Sequence, residues 1–192
     1  MRNTKIRALC ECAIMVALAF VLSYVRLFKM PLGGSITLAS MLPIMLIAIK
    51  YGPKIGVGTA LVYSITQLLQ AYTEGDVFPY CETALTLVIC MLFDYVFPFT
   101  VLGLAGVFKN LRLFKRKQVA AYVGMVAVVT VRFLSHFITG VAIWGQWAPD
   151  GMGKFLYSFL YNASYLSVDF IICILITIYI LKNSEVKRLI NQ

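Results

Sequence analysis

The sequence predicts an all-α integral membrane protein with six transmembrane helices and with both termini in the cytoplasm. Hydrophobic residues make up 61% of the 192 residues and charged residues only 13%, which leaves too little polar surface for a water-soluble protein. The apolar residues gather in six runs, and the basic residues lie at the ends of these runs. The net charge of +9 therefore indicates membrane orientation and not nucleic-acid binding. A single membrane domain, 1–192, accounts for the whole length.

The six apolar runs predict helices at about 8–25, 38–50, 54–72, 83–108, 119–147 and 154–181. Because a helix needs about 20 residues to cross a bilayer, the second run is short. Pro43 and the preceding PLGGSITLAS predict an irregular lead-in, which is tolerable only where protein or a cavity covers it. The basic N-terminus has the start of a signal peptide, but the long apolar run lacks a clear cleavage site. We therefore expect a retained first helix.

The lysines and arginines that flank these runs predict the orientation. Thirteen of them lie at the N-terminus, the second connection, the fourth connection and the C-terminus, whereas three lie on the other side: Arg26, Lys29 and Lys154. By the positive-inside rule, both termini are cytoplasmic, and 109–118 is a basic cytoplasmic loop. The loops 73–80 and 148–153 then face outward, together with the turn WGQW.

Two stripes of polar and aromatic residues converge on this external turn. In the fifth run they recur at every fourth position: Arg132, His136, Gly140 and Trp144. In the sixth run they follow at steps of four, three and four: Ser158, Asn162, Tyr165 and Asp169. Side chains spaced in this way share one face of a helix. The two stripes therefore predict a pocket for a small, flat, polar ligand.

Four ionisable residues lie well inside the apolar runs: Asp94, Arg132, His136 and Asp169. Such residues are candidates for function because lipid makes their burial costly. Two interpretations of Arg132 stay open at this point, a role in the ligand site and a structural ion pair with Asp94 or Asp169. For His136 we favour a ligand contact, because it shares its helix face with Gly140 and Trp144.

Asp94 lies in MLFDYVFPF, mid-helix and among aromatic residues. A carboxylate beside rings such as Tyr95 and Trp144 suits an organic cation, because the acid supplies charge and the ring faces attract cations. Asn162 and His136 offer donors and acceptors for the edge of a heterocycle. Gly140, which has no side chain, would let a flat ring lie against the helix.

Catalytic and metal chemistry have weak support in the sequence. The chain has one histidine without a second metal-type ligand nearby, and its five cysteines have no metal-ligand spacing. We expect no catalytic residue, no metal and no cofactor. No GxxxxGK[ST] loop occurs, so ATP-driven transport would need a partner ATPase. The alternative from a different class is a small intramembrane enzyme that uses His136 with Asp94 or Asp169.

The first helix carries small residues, Ala13, Ala17 and Ala19, in CAIMVALAF. Small residues four apart let another helix approach closely in lipid. Spacing alone leaves two interpretations open, docking of a partner helix and packing inside the chain.

Several segments resemble the thiamine-specific S-components (ThiT type) of energy-coupling factor (ECF) vitamin transporters: ECAIMVALAF, GGSITLASMLPI, FDYVFPFTVLGLAGVF, RFLSHFITGVAIWGQW and YSFLYN. The resemblance covers nearly the whole chain. It implies a six-helix, multi-pass protein of the plasma membrane that captures thiamine from outside. It further implies partners, namely a shared transmembrane component and two ATPase subunits. An S-component for a related vitamin or precursor is the alternative within transport.

The resemblance also implies roles for individual residues. Those that match the family's ligand contacts are Asp94, Tyr95, His136, Gly140, Trp144, Tyr157 and Asn162. We expect Arg132 and Asp169 to supply supporting charge, and the alanines of the first helix resemble the docking motif. Asp94 stands where some members have glutamate. The first external loop, RLFKMPLGGS, lacks a tryptophan that some members stack on the ligand.

Overall fold

The fold is built from helices that follow the apolar runs of the sequence. A computed structural model of the chain describes residues 2–110, 114 and 116–182. The six longest helical segments of these residues are α1 (Arg2–Tyr24), α2 (Leu42–Tyr51), α3 (Pro53–Glu74), α4 (84–104), α5 (Lys117–Ala142) and α6 (Lys154–Lys182). Each overlaps one predicted run, which confirms the all-α fold class. The predicted basic loop 109–118 is described only in part, and the cations Lys187 and Arg188 lie outside the described residues.

Only some of the helices are long and apolar enough to cross a membrane. Four stretches among the described residues are long and apolar enough: Thr4–Tyr24, Ala84–Lys109, Lys117–Ala142 and Lys154–Ile180. α3 has 22 residues and a length of about 33 Å, but it carries polar side chains such as Gln67 and Gln70. α2 has ten residues and a length of about 15 Å, so it is too short to cross alone. The short second run predicted this last feature.

α4 changes its helical form along its length. It is an α-helix at Ala84–Cys90, a wider π-helix at Met91–Val96, an α-helix again at Phe97–Thr100 and a 3₁₀-helix at Val101–Leu104. Pro98 has no N–H for the carbonyl of Asp94, and in a regular helix its ring would crowd that carbonyl. The wider turn before Pro98 relieves this conflict. It also carries Asp94, whose side chain lies inside the bundle. Such π-turns are frequent at functional sites.

The hydrophobic core is centred on α2, which packs against α1, α3 and α4. Its buried residues include Ile44, Met45 and Ala48. Close to it, α3 and α4 pack backbone against backbone, because a Cβ on Gly56 would overlap the carbonyl oxygen of Gly103. This contact fixes the position of α4, and therefore of Asp94, against α3.

A small β-hairpin connects α1 to the lead-in of α2, and the sequence did not predict it. Strand β1 (Arg26–Lys29) pairs antiparallel with β2 (Ser35–Thr37), and Pro31–Gly33 form the turn. The predicted irregular lead-in is present, and three of its residues, Thr37, Ala39 and Ser40, are buried. Ala39 has a positive φ of 58°, and Thr37 is held by Asp169 of α6, which accepts from its backbone N–H at 3.2 Å and its hydroxyl at 2.8 Å.

The three alanines of α1 separate into two groups. Ala13 and Ala17 are exposed on the outside of the bundle, so they stay a prediction for partner docking. Ala19 is 0% exposed and belongs to the hydrophobic core. Its place in the predicted docking set is therefore wrong, because a partner helix cannot reach it while the chain stays folded.

Candidate ligand-binding site

A cavity opens beside the hairpin and extends between α3, α4, α5 and α6. All nine residues predicted for ligand contact or supporting charge line it: Asp94, Tyr95, Arg132, His136, Gly140, Trp144, Tyr157, Asn162 and Asp169. Its empty volume, with the open solvent at the mouth included, is about 1000 Å³. The fold therefore brings together residues that lie up to 75 positions apart in the sequence.

Asp94 is the most connected side chain of the cavity. Its Oδ1 lies 3.3 Å from Nδ1 of His136 and accepts a short hydrogen bond from the hydroxyl of Thr139. Its Oδ2 accepts from Nε1–H of Trp144 at 2.9 Å. Thr139 was missed by the sequence analysis, although its position three residues after His136 puts it on the same helix face. The predicted cluster of Asp94, His136 and Trp144 is thus a hydrogen-bonded network.

Asn162 joins α6 to α5 through its amide. Its Nδ2 donates to the backbone oxygens of Ser158 at 2.9 Å and His136 at 3.2 Å. Its Oδ1 accepts from the hydroxyl of Tyr165 at 3.0 Å. Asn162 therefore has partners within the protein, and its predicted contact with a heterocycle stays a prediction.

The structure explains the glycine at position 140 differently from the sequence analysis. A Cβ at this position would overlap Oγ of Ser158 and would stand 3.2 Å from Nδ2 of Asn162. The space in front of Gly140 is therefore taken by α6. This corrects the expectation that the missing side chain leaves room for a flat ring.

Arg132 has no ion pair among the residues that the structure describes, so the structural pair with Asp94 or Asp169, which the sequence left open, is not formed. Its guanidinium lies 4.1 Å from the ring centroid of Phe99. Its Nε and Nη1 are buried, and no described residue accepts a hydrogen bond from them. Asp169 instead bonds Thr37. Arg132 thus brings unpaired donors to the cavity wall.

Aromatic rings form two walls of the cavity. On α4, Tyr95 lies 5.7 Å from Phe78 and stacks on Phe99 at 6.4 Å between ring centroids. On α6, Tyr161 lies 5.8 Å from Tyr157 and 5.9 Å from Tyr165. Phe99 and Tyr161 line the cavity but were not predicted. Their positions four residues from Tyr95 and Tyr157 were the available signal.

The hairpin is attached at the mouth of the cavity by charged residues. Arg26 donates to both carboxylate oxygens of Glu74, at 2.6 and 2.5 Å, and Lys29 lies 2.6 Å from Asp76. The hydrogen bonds from Arg26 lower the pKa of Glu74 to about 2. Hydrogen bonds to Glu74 and Asp76 raise the pKa of Arg26 and of Lys29. In the sequence these cations served only as orientation signals.

The opposite side of the hairpin is held by α6. The hydroxyl of Tyr161 donates a short hydrogen bond to the carbonyl of Pro31 and accepts from the N–H of Gly34 at 3.2 Å. The hairpin is therefore attached to the end of α3 through β1 and to α6 through its turn, so it partly covers the cavity.

The formal charges around the cavity do not cancel. The four charged residues at the mouth sum to zero: Arg26, Lys29, Glu74 and Asp76. Inside, Asp94 and Asp169 exceed the single cation Arg132 by one negative charge among the described lining residues. The cavity is therefore electrostatically suited to a ligand with one positive charge.

Apolar helices around a partly covered polar cavity define a multi-pass membrane protein with a small-molecule binding site. The family model described as "Thiamine transporter protein (Thia_YuaJ)" matches residues 9–189. The chain belongs to this family.

Individual relatives agree with this family. The "Thiamine transporter ThiT" of Bacillus subtilis (strain 168) is 32% identical over 177 residues, which are 88% of this chain and 86% of that protein. A protein of the same name from Lacticaseibacillus paracasei is 30% identical over 78 residues, 37% of this chain and 39% of that one. The solved structure of ThiT from Listeria monocytogenes superposes with a TM-score of 0.74 and 26% identity, over 98% of this chain and 99% of that chain.

These relationships decide three of the predictions. Membership in a family of transport proteins confirms a transporter rather than an enzyme. It also confirms a multi-pass protein of the cell membrane, in agreement with the apolar helices. The structural match supports the helical membrane fold.

Proposed function

We propose that this protein captures thiamine from outside the cell as the S-component of an ECF transporter. In this function the chain binds the vitamin, and a shared transmembrane component with two ATPase subunits drives its uptake. The observation that carries the proposal is the cavity with its aromatic walls and one excess negative charge.

Thiamine matches this cavity in three respects. Its thiazolium ring is permanently positive, so it would neutralise the excess charge left by Asp94, Asp169 and Arg132. Its two rings are flat, so they could stack on aromatic side chains, whose faces also attract cations by about 0.5–2 kcal/mol. Its aminopyrimidine presents both donors and acceptors, which suits the hydrogen-bonding groups of α5 and α6.

The coupling to ATPase subunits rests on the sequence and on α1. The chain contains no phosphate-binding loop of the GxxxxGK[ST] type, so energy from ATP would have to come from a partner. The apolar window of α1 is only 17% buried inside the bundle, the lowest fraction of the four apolar stretches. Ala13 and Ala17 lie on its exposed surface, where small side chains would permit close helix approach.

Titration of the purified protein with thiamine tests the proposal. Trp144 lines the cavity and Trp147 contacts Tyr80 nearby, so a bound ligand should change the intrinsic fluorescence in a saturable way. Other vitamins and the separate pyrimidine and thiazolium halves serve as competitors. Recovery of unchanged thiamine is expected of a carrier. If no saturable thiamine binding occurs by fluorescence and by calorimetry, the proposed substrate is wrong.

The coupling is tested separately by uptake in cells. Co-expression with an ECF transmembrane component and its ATPases should produce ATP-dependent uptake of labelled thiamine, whereas the chain alone should only bind it. Equal accumulation without the partner subunits would contradict the S-component proposal and leave thiamine binding intact.

A further inference from the structure

We infer that Asp94 is a positioning residue in this site: it orients the indole of Trp144 and selects the His136 tautomer whose Nε2 accepts a hydrogen bond. The inference rests on the proposed function only where it names the ligand group that meets His136.

The carboxylate of Asp94 is occupied by donors from α5 and the turn after it. Thr139 and His136 meet Oδ1, and the Nε1–H of Trp144 meets Oδ2 at 2.9 Å. Asp94 is 8% exposed, so little of it is left for a ligand. An ionised carboxylate only accepts hydrogen bonds, and a thiazolium ring has no N–H to donate. Asp94 therefore balances a cationic ligand by its charge and by the side chains that it holds.

The contact with Asp94 determines which nitrogen of His136 carries the hydrogen. A neutral imidazole has one N–H donor and one acceptor nitrogen. Because the carboxylate is an acceptor, Nδ1 must supply the hydrogen of the 3.3 Å contact. Nε2 then holds a lone pair. An imidazolium would place a second cation near Arg132, one helical turn away, in a site that takes a cation.

Nε2 of His136 is left for a ligand. This atom is buried and has no hydrogen-bond partner in the part of the chain that the structure describes, while His136 is 9% exposed and lines the cavity. A buried acceptor without a partner is costly, so the site favours a ligand that brings an N–H or O–H donor to it. In thiamine the exocyclic amino group of the pyrimidine is such a donor.

The bond to Trp144 has a parallel effect. Trp144 lines the cavity, and its indole nitrogen can only donate. Its bond to Oδ2 therefore fixes the orientation in which the ring meets a ligand. The carboxylate of Asp94 thus fixes both the orientation of the Trp144 ring and the acceptor state of His136 Nε2.

The substitution Asp94→Asn gives a sharp test, because its amide has only one acceptor atom. The Nε1–H of Trp144 can only donate, whereas the Thr139 hydroxyl, which also meets Asp94, can instead donate to the carbonyl oxygens of Ser135 and His136, each at 3.2 Å. The amide oxygen of asparagine should therefore take the Trp144 side. The amide NH₂ then faces Nδ1 of His136, which must become an acceptor. The hydrogen moves to Nε2, and the atom that faces the ligand changes from acceptor to donor.

Nitrogen-15 NMR measures this tautomer directly, because His136 is the only histidine of the chain. In the parent without thiamine we expect a protonated Nδ1 and an unprotonated Nε2. In Asp94→Asn we expect the reverse pattern. Trp144→Phe is the matched control, since it removes a donor to Asp94 but keeps the His136 contact, and it should retain the parent tautomer.

The parent spectrum alone can overturn the inference, even if Asp94→Asn does not fold. A proton on Nε2, or on both nitrogens, would mean that Asp94 does not select the acceptor form. An unchanged tautomer in a folded Asp94→Asn would contradict the switch. Neither measurement needs thiamine, so they fail independently of the proposed function.

Affinities for two ligands test the consequence for specificity. The parent should bind thiamine about tenfold more tightly than the analogue whose pyrimidine amino group is replaced by a carbonyl oxygen. In Asp94→Asn this preference should vanish or reverse. An equal preference in both proteins would overturn the specificity claim. If neither ligand binds the parent, the proposed function fails, whereas the tautomer is decided by NMR.

Discussion

Replacing Gly140 by alanine tests whether this glycine joins two helices or makes room for a ligand. A Cβ here would overlap Oγ of Ser158 and stand 3.0 Å from its Cβ. The variant must therefore push α6 away from α5 or rotate the side chain of Ser158. Either movement breaks the bond that the Ser158 hydroxyl donates to the carbonyl of Phe137 at 2.8 Å.

The expected cost of Gly140→Ala follows from these contacts. Overpacking typically costs about 1–3 kcal/mol, and loss of the Ser158 hydrogen bond adds about 1 kcal/mol. The better helix propensity of alanine returns up to about 1 kcal/mol. The variant should therefore be destabilised by about 1–3 kcal/mol. At roughly 2–4 °C per kcal/mol, its Tm should fall by several degrees.

Thermal melting and thiamine titration of purified variants form the assay. Gly140→Ala should melt earlier and bind thiamine more weakly, because α6 carries Asn162 and its tyrosines. Adding Ser158→Gly removes the two nearest atoms that meet the new Cβ, so the double variant should regain part of the lost stability and of the thiamine affinity. The double-mutant cycle of these two substitutions should show a coupling free energy of about 1–3 kcal/mol between positions 140 and 158. Gly58→Ala is the matched control, because a Cβ there meets nothing within 4 Å.

A particular result would refute this reasoning. If the double variant regains its Tm but still binds thiamine as poorly as Gly140→Ala, the new methyl group obstructs the ligand itself. Gly140 would then belong to the ligand surface, as the sequence analysis expected.

Three further predictions concern the hairpin, the partner surface and the topology. Glu74→Gln weakens the attachment of the hairpin, so thiamine should dissociate about two- to fivefold faster in stopped-flow measurements. The pKa of Glu74 is lowered from 4.5 to about 2. Its stabilisation of the hairpin attachment is therefore complete above pH 4.5 and is lost as the pH falls toward 2. Dissociation from the parent, but not from the variant, should accelerate in that window. Ala13→Trp should bind thiamine normally and lose uptake, whereas Ala19→Trp should fail to fold because that site is buried. In a chain without native cysteines, Asp150→Cys should react with an impermeant maleimide outside cells, and Lys54→Cys should not.

Each of these predictions has its own control and contrary outcome. Glu82→Gln, at an exposed carboxylate, should leave thiamine dissociation unchanged, and an equal acceleration there would exclude a specific role of Glu74. Normal uptake by Ala13→Trp would mean that this face of α1 does not meet a partner. Labelling of Lys54→Cys but not Asp150→Cys would reverse the topology and the outward cavity.

Much of the site was predictable because its signals are local. The period of a helix alone puts Arg132, His136 and Trp144 on one face, and the rarity of charge in apolar runs selects Asp94 and Asp169. Family resemblance then extends the set to Tyr157. Residue spacing could not predict that Ala13 is exposed and Ala19 is buried, because both are small residues on one apolar helix.

By itself the sequence determined the helical membrane class, the approximate helices and the residues that could form a ligand site. Hydropathy and helical period depend only on residues that are close together in the sequence, so they can be recognised without knowledge of the fold. The tertiary structure alone decided which atoms meet. It places Ser158 in front of Gly140, sets Arg132 over the ring of Phe99, adds Thr139 to Asp94 and attaches the hairpin to Glu74. These contacts join segments far apart in the chain, and their distances depend on how helices pack, which no local pattern records.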